Sequence, residues 1–423
     1  MIRKMKRSFF FVLLLAAVVS CKKNNGDEGI PQKLPEPKVE EHGTPQGTPV
    51  VKSIGPAGGS IQSADGNIAV DIPAGAVSAA TNFSIQTVTP TLEAATGPSY
   101  RLLPENVQFQ KDVKITLRYT DSNLIGTNED DLYLAYQDAQ GYWNREIMTG
   151  IDKANKKLTA QTRHFSDWTI ERVFRVEIAS SDRVLEANEQ AMLLVQYQDV
   201  KKGTNQIIQG VWVPDKNIET WFATGPGTFD NTKHHKVNYK APASIPKTEE
   251  IAVGVRIRNL VNRRNPDRPG NTGLVIVQVP ITLLPAEYFV WEVDGTMYFA
   301  NSTDGTRVGN NITLIGTGLL GGLNITANAE KGEGKYVTGS LQEDKKIHVQ
   351  LGFPQGTYTI YQSTIFNCNG KVMYGAGSMN IEKFGRIGEA ITGTVTATVY
   401  VPGSGCNLRS KKVTGKFRII RKL

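Results

Sequence analysis

The sequence predicts an all-β fold arranged as three β-sandwich-like domains in tandem. Three observations carry this. Short segments rich in Val, Ile, Thr, Tyr and Phe recur along the chain, separated by Gly, Pro, Asn and Asp turns. Glycine is abundant, at 41 residues, and only 21% of residues are charged, a balance that favours strands and turns over helices. The length, 423 residues, argues for two to four domains rather than one.

The elements in order begin with a leader. MIRKMKRS is basic, and Phe9 to Ser20 is an apolar run of signal-peptide length, too short for a membrane span. Residues 1–20 are therefore expected to be a signal peptide. The net charge is +8, and removing Arg3, Lys4, Lys6 and Arg7 with the leader leaves +4. So mild and scattered a charge gives no reason to expect nucleic-acid binding. The run ends in VVSC. This resembles a bacterial lipobox, which implies diacylation of Cys21 and, with several acyl chains, a near-permanent membrane anchor. Val18 and Val19 depart from the usual Leu and Ala/Ser of that motif. The alternative is an ordinary signal peptide in which Cys21 is incidental. Residues 21–50 hold Pro31, Pro35, Pro37, Pro45 and Pro49 and almost no large apolar residue, so they read as a disordered tether. The order fits a Bacteroidetes-type lipoprotein on the outer membrane. Lys22-Lys23 ahead of Asp27-Glu28 matches the acidic surface-export signal poorly, which leaves both the periplasmic side and the cell surface open.

Two further cysteines, Cys368 and Cys406, form an even pair in an oxidising compartment and are expected to be a disulfide. Such a link would stabilise by about 3–4 kcal/mol on a chain-entropy estimate. Two cysteines without a neighbouring histidine do not make a metal site.

Residues 51–173 form the first domain. Asp65-Gly66 is a hairpin signal, and Ile68, Val70 and Ile72 alternate. Strands are expected at Phe83–Val88, Val107–Tyr119 and Asp131–Gln137, and along KLTAQTRHFSDWTI. GGSIQSADGNIAVDIPAGAV, then Leu103-Pro104, VQFQKDVKITLRY and HFSDW, resembles a ZU-five domain, found in ankyrins, netrin receptors and bacterial lipoproteins. The resemblance spans roughly 120 residues. It implies a β-sandwich used for binding and for packing on neighbouring domains, with no cofactor. Some members end in a His-Phe-Ser that cleaves itself between Phe and Ser. By that resemblance His164, Phe165 and Ser166 are candidate autocleavage residues. On one strand His164 and Ser166 would share a face. Ser166 Oγ would attack the Phe165 carbonyl while His164 takes the proton, and water would open the resulting ester. The reaction requires a strained peptide, which a sequence does not display. The alternative is an ordinary strand with Phe165 in the core.

Residues 174–286 form the second domain. Trp221, Gly225-Pro226-Gly227, Ala241-Pro242 and IAVGVRI are similar to bacterial immunoglobulin-like domains, with Trp221 expected in the core. His234 and His235 are adjacent. On a strand they would point to opposite faces, which argues against a shared metal. Arg258 to Asn271 is a long basic loop. Residues 287–423 form a C-terminal β-domain, with an Asp294-Gly295 hairpin and a strand in which Val395, Ala397 and Val399 oppose Thr394, Thr396 and Thr398. GTGLLG, Gly316 to Gly321, matches a dinucleotide-binding spacing but lacks the helix that must follow, so it reads as a β-turn.

No HExxH, GxSxG or P-loop is present, and the five histidines are scattered. No cofactor and no metal are expected. The function expected is that of a non-enzymatic structural or binding module at the cell envelope, with a protein or glycan partner. Autoproteolysis and a glycan-binding accessory role are the alternatives.

Overall fold

Alternation decides the first sheets. Ile68, Val70 and Ile72 are buried while Asp71 between them is exposed, so one face of this segment meets a core and the other meets water. The computed structural model describes residues 34–105, 107–179, 183–260, 273–354, 359–367, 369–403 and 407–423. The leader, Cys21, Cys368, Cys406 and most of the basic loop lie outside these, and with them the lipidation and disulfide expectations. Among the described residues the chain is nearly all β, with three short 3-10 turns and no helix long and apolar enough to cross a membrane.

The first module has eleven strands: β1 (Pro45–Ile54), β2 (Gly59–Gln62), β3 (Ile68–Ile72), β4 (Thr81–Val88), β5 (Ser99–Leu103), β6 (Val113–Arg118), β7 (Leu132–Gln137), β8 (Trp143–Glu146), β9 (Gly150–Asp152), β10 (Lys157–Thr162) and β11 (Asp167–Arg172). One sheet runs β1-β4-β5-β11-β7-β8 and the other β2-β3-β6-β10-β9. Ile68, Phe83, Leu102, Ile115, Leu158 and Trp168 fill the space between them. The strand expected over Val107–Tyr119 begins only at Val113. The segment before it crosses the end of the sandwich, where Phe109 enters the core and its N–H donates to the Arg163 carbonyl at 2.9 Å.

The tether expectation is corrected for its second half. Val39 bridges Tyr142, and the Glu40 N–H donates to the Gly141 carbonyl at 2.9 Å. Gln137 Nε2 donates to the Glu40 carbonyl at 2.7 Å, and Arg101 Nη2 to the Gly43 carbonyl at 3.0 Å. From Pro45 the chain is strand β1, paired with β4. Composition correctly excluded a core here, but this strap is held by backbone hydrogen bonds, which need no apolar side chains. Pro45 and Pro49 fit because β1 is an edge strand with a register shift between Gln46 and Val50. A Cβ on Gly43 would stand 2.1 Å from the Thr89 carbonyl oxygen, so only glycine lets the strap lie this close.

The second module packs a sheet of Phe174–Ile178, Gln190–Val200, Lys236–Lys240, Thr228–Phe229 and Ile207–Trp212 on a sheet of Val184–Leu185, Leu274–Leu283, Glu249–Arg258 and Ile218–Ala223. Trp221 lies in this core and donates its Nε1 proton to the His234 carbonyl at 2.7 Å. The third module is an eleven-stranded sheet rolled on itself, with a separate two-stranded ribbon. Its last strand, Leu408–Ile420, lies between Tyr288–Val293 and Ala390–Pro402. Its ends approach where Gly305 bridges Arg421 and accepts the Lys422 N–H at 2.8 Å. The roll encloses Phe289, Trp291, Leu314, Ile325, Val349 and Phe417. Asp294 and Gly295 both take positive φ, as a tight Asp-Gly hairpin requires.

The modules are joined by buried polar contacts, and Glu36–Leu423 forms one compact unit. Arg145 Nε and Nη2 donate to the Glu171 carboxylate at 2.8 and 2.6 Å, and Nη2 also donates to the Gln198 carbonyl of the second module at 2.9 Å. The two side chains are 3% and 0% exposed. Burial opposes the Arg145 charge, but Glu171 outweighs it and holds the guanidinium above its usual range. Leu92, Ala94, Ala135 and Trp143 pack on Ile207 beside this pair. Between the second and third modules the Tyr288 hydroxyl donates to Glu186 Oε1 at 2.6 Å.

Glu171→Ala leaves Arg145 charged and buried without its partner, and should lower unfolding free energy in urea by about 3–5 kcal/mol. The double change Arg145→Met with Glu171→Leu should cost clearly less. Equal losses in the single and double variants would show that the pair itself is not what matters there.

Candidate functional site

The His-Phe-Ser expectation placed these residues on one strand. The structure corrects this. Lys157–Thr162 and Asp167–Arg172 belong to opposite sheets, and residues 163–166 are the arch between them. A chain crossing the open end of a sandwich needs an apolar plug, and Phe165 provides it. Its ring meets Phe83 at 5.6 Å and Phe109 at 4.9 Å, both edge-on. His164 caps the same end, with its ring 5.0 Å from Tyr136 and 6.4 Å from Trp168. Its amide accepts no role in a ladder but donates to Thr162 Oγ1 at 3.3 Å. Ser166 is 5% exposed, its carbonyl accepts the Leu102 N–H at 3.1 Å, and its Oγ has no hydrogen-bond partner. The arch thus brings the three residues to one place as a buried free hydroxyl and a ring-packed imidazole, with no hydrogen bond between them. The Phe165–Ser166 peptide is trans, and neither residue has positive φ.

Asp167, next in the chain, is fully buried at the strap. Arg101 Nε and Nη2 donate to its two oxygens at 2.8 and 2.9 Å, and His42 Nδ1 lies 3.2 Å from Oδ2. His42, Glu105 and Asp167 have donor atoms within 4.8 Å of one another, a spacing compatible with a metal ion. The forked Arg101 contact already occupies both Asp167 oxygens, so the chemistry of the cluster is that of an ion pair pinning the strap. This pair holds the Arg101 guanidinium above its usual range, against the opposing effect of burial.

His234 and His235 do not stand on a strand, and so do not point to opposite faces of one. Both residues instead lie in the turn before Lys236–Lys240 and converge on one carboxylate. His235 Nδ1 is 2.9 Å from Asp215 Oδ1, and His234 Nδ1 is 3.3 Å from Oδ2. Burial raises the Asp215 pKa, but the bonds from the His235 ring and amide outweigh it, and the net shift is downward. Gly316 to Gly321 closes a hairpin between antiparallel strands Asn311–Gly318 and Gly321–Asn328, without a helix.

Sequence reasoning missed the most distinctive surface. Among the described residues only two Phe, Tyr or Trp side chains are exposed, Phe366 at 71% and Tyr374 at 46%. Both stand on one two-stranded ribbon, Thr364–Phe366 paired with Val372–Tyr374. Phe366 faces Val372 across the ribbon, Thr364 faces Tyr374, and Val372 is also 46% exposed, so three apolar side chains share one open face. Ile365, on the other face, is buried, and the ribbon is moored at Ser363, which donates its N–H to the Val349 carbonyl at 2.8 Å and accepts the Val349 N–H on Oγ at 2.8 Å. A free two-stranded ribbon is marginal in water, so the mooring is what keeps this face presented. The exposed ring could not be read from a composition of 8% aromatics.

No protein-family model matches this chain, and no curated protein matches it. The ZU-five and immunoglobulin-like resemblances rest on the residues quoted above.

Phe165→Ala should open a cavity beside Phe83 and Phe109 and cost about 3–5 kcal/mol in denaturant unfolding. Loss of less than 1 kcal/mol would mean that the arch is not the plug of this core.

Proposed function

We propose that this chain is an exported, lipid-anchored, non-enzymatic binding module of the cell envelope. The single observation that carries the reading is the ribbon face of Phe366, Val372 and Tyr374, which holds the exposed Phe and Tyr side chains of the described residues. Contiguous exposed apolar side chains on a moored element are a feature of interaction sites. The basic, apolar, small-residue and cysteine order ending at Cys21 supports export and anchoring at the outer membrane. The welded modules support a rigid spacer that carries the ribbon. On this reading the first module is a ZU-five-like domain and the second an immunoglobulin-like one, both serving as structural supports, with neither cofactor nor metal.

A photoreactive residue in place of Val372, in cells expressing the full chain, should yield an adduct with an envelope component. The double variant Phe366→Ser with Tyr374→Ser should abolish it, while changing unfolding free energy by no more than about 0.5 kcal/mol, because both rings are exposed. A chain that fractionates as a soluble pool and gives no adduct would sink the reading.

Self-cleavage is the second reading, favoured by the buried, unpartnered Ser166 Oγ beside the Phe165 carbonyl. Intact-mass spectra of the denatured chain and of Ser166→Ala separate the two. The binding-module reading expects one full-length mass from both. Fragments meeting at Phe165/Ser166 in the native chain alone would make processing primary.

A further inference from the structure

Strand register places a straight line of side chains across five strands of the third module. Ile315 pairs with Asn324, Asn324 with Gln350, Gln350 with Gln362, and Gln362 with Tyr400. Their neighbours Leu314, Leu323, Leu351, Tyr361 and Val399 point into the core, so this line is on the outer face. Adjacent strands are about 4.8 Å apart, so the three amides recur at that interval. They hydrogen-bond in sequence, Asn324 Nδ2 to Gln350 Oε1 at 3.5 Å and Gln350 Nε2 to Gln362 Oε1 at 3.4 Å. The chain of bonds runs from Asn324, whose Oδ1 is itself buried and without a partner, to Gln362, whose neighbour across the sheet is Tyr400.

The next line on the same face is Thr317, Gly322, Gly352 and Ile360, again matched by register. Its two central positions have no side chain. The result is a trough of about 420 Å3 walled by Ile315 and Ile360 and bordered by Asn324 and Gln350. The line on the other side contains Thr313, Thr326 and His348. Burial pushes the His348 imidazole below its ordinary value, and formal charge enters only beyond Ile315, where its register partner Asp304 is paired with Lys422 at 3.3 Å. The apolar ribbon adjoins this surface. Ser363 links Gln362 to the ribbon, the Gly375 N–H donates to the Ser363 carbonyl at 2.7 Å, and a Cβ on Gly375 would stand 2.9 Å from the Tyr400 ring.

We propose that this amide line, with its trough and the adjoining ribbon, binds a neutral polysaccharide. The inference rests on the binding-module reading and names its ligand class. An amide both donates and accepts, as a sugar hydroxyl does. A line of amides at fixed spacing therefore matches a repeating polyhydroxyl chain, whereas an anionic ligand finds no cation in it. The aromatic and aliphatic side chains of the ribbon suit the apolar faces of sugar rings. An extended peptide would instead seek an open strand edge, and the amide line lies in the middle of paired strands.

The test is native affinity electrophoresis of the full chain, in detergent, through gels containing a neutral glucan, mannan, xylan or galactan, with an anionic alginate gel as control. The wild-type chain should be retarded by at least one neutral polymer. Gln350→Ala with Gln362→Ala should weaken that retention at least tenfold at unchanged melting temperature, and Asn324→Ala alone should weaken it severalfold. Retention by alginate only, no retention in any neutral gel, or full retention of the double variant would overturn the inference. The Val372 adduct separates this failure from that of the underlying reading. A protein adduct without glycan retention removes the ligand class and keeps the binding module. Loss of both removes both.

Discussion

The buried pairing of Arg145 with Glu171 is the constraint on which the arrangement of the chain depends. Strand Asp167–Arg172 sends Trp168 and Ile170 into the sandwich core and Asp167, Thr169 and Glu171 to the opposite face. In an isolated sandwich that polar face would meet water. Here all three residues are buried, because the strap covers one end of the face and the second module covers the other. Each charge arrives with a partner: Arg101 and His42 for Asp167, and Arg145 for Glu171. A buried charge without such a partner would cost several kcal/mol; the strap, through His42, and the second module, through the Gln198 carbonyl, add to pairs made within the first module.

From that weld follows the mechanical character of the molecule. The strap before Pro45 is stitched to the first module at Glu40, Gly43 and Asp167, so it lies on a sheet rather than as a loose chain. The first two modules share apolar and ionic contacts, and Tyr288 with Glu186 ties the second to the third. The third module is built differently. Its eleven-stranded sheet rolls until its ends approach, which gives a broad outer face on which side chains from many strands stand in register.

Much of the fold was legible from local pattern. The alternation of Ile68, Val70 and Ile72, the Asp294-Gly295 turn, the opposition of Val395, Ala397 and Val399 to their threonines, and the burial of Trp221 all follow from period-two spacing and turn chemistry. What misled were segments where the chain leaves a sheet. KLTAQTRHFSDWTI has the composition of one long strand but is two strands and an arch. His234-His235 has the look of a strand but is a turn gathered by Asp215. In each case a contact distant in sequence, Phe109 with Phe165 or Asp215 with His235, overrode a local preference.

The sequence by itself determined the all-β class of the molecule and which residues could fill its cores. These depend on composition and on spacing within one strand. Only the tertiary structure decided that the polar residues of Asp167–Arg172 are buried and that His42 reaches Asp167. It alone aligned Asn324, Gln350, Gln362 and Tyr400. The physical reason is register. Alternation fixes which side of a strand a residue faces, but which residue stands beside it across the sheet is set by pairing between segments tens of residues apart.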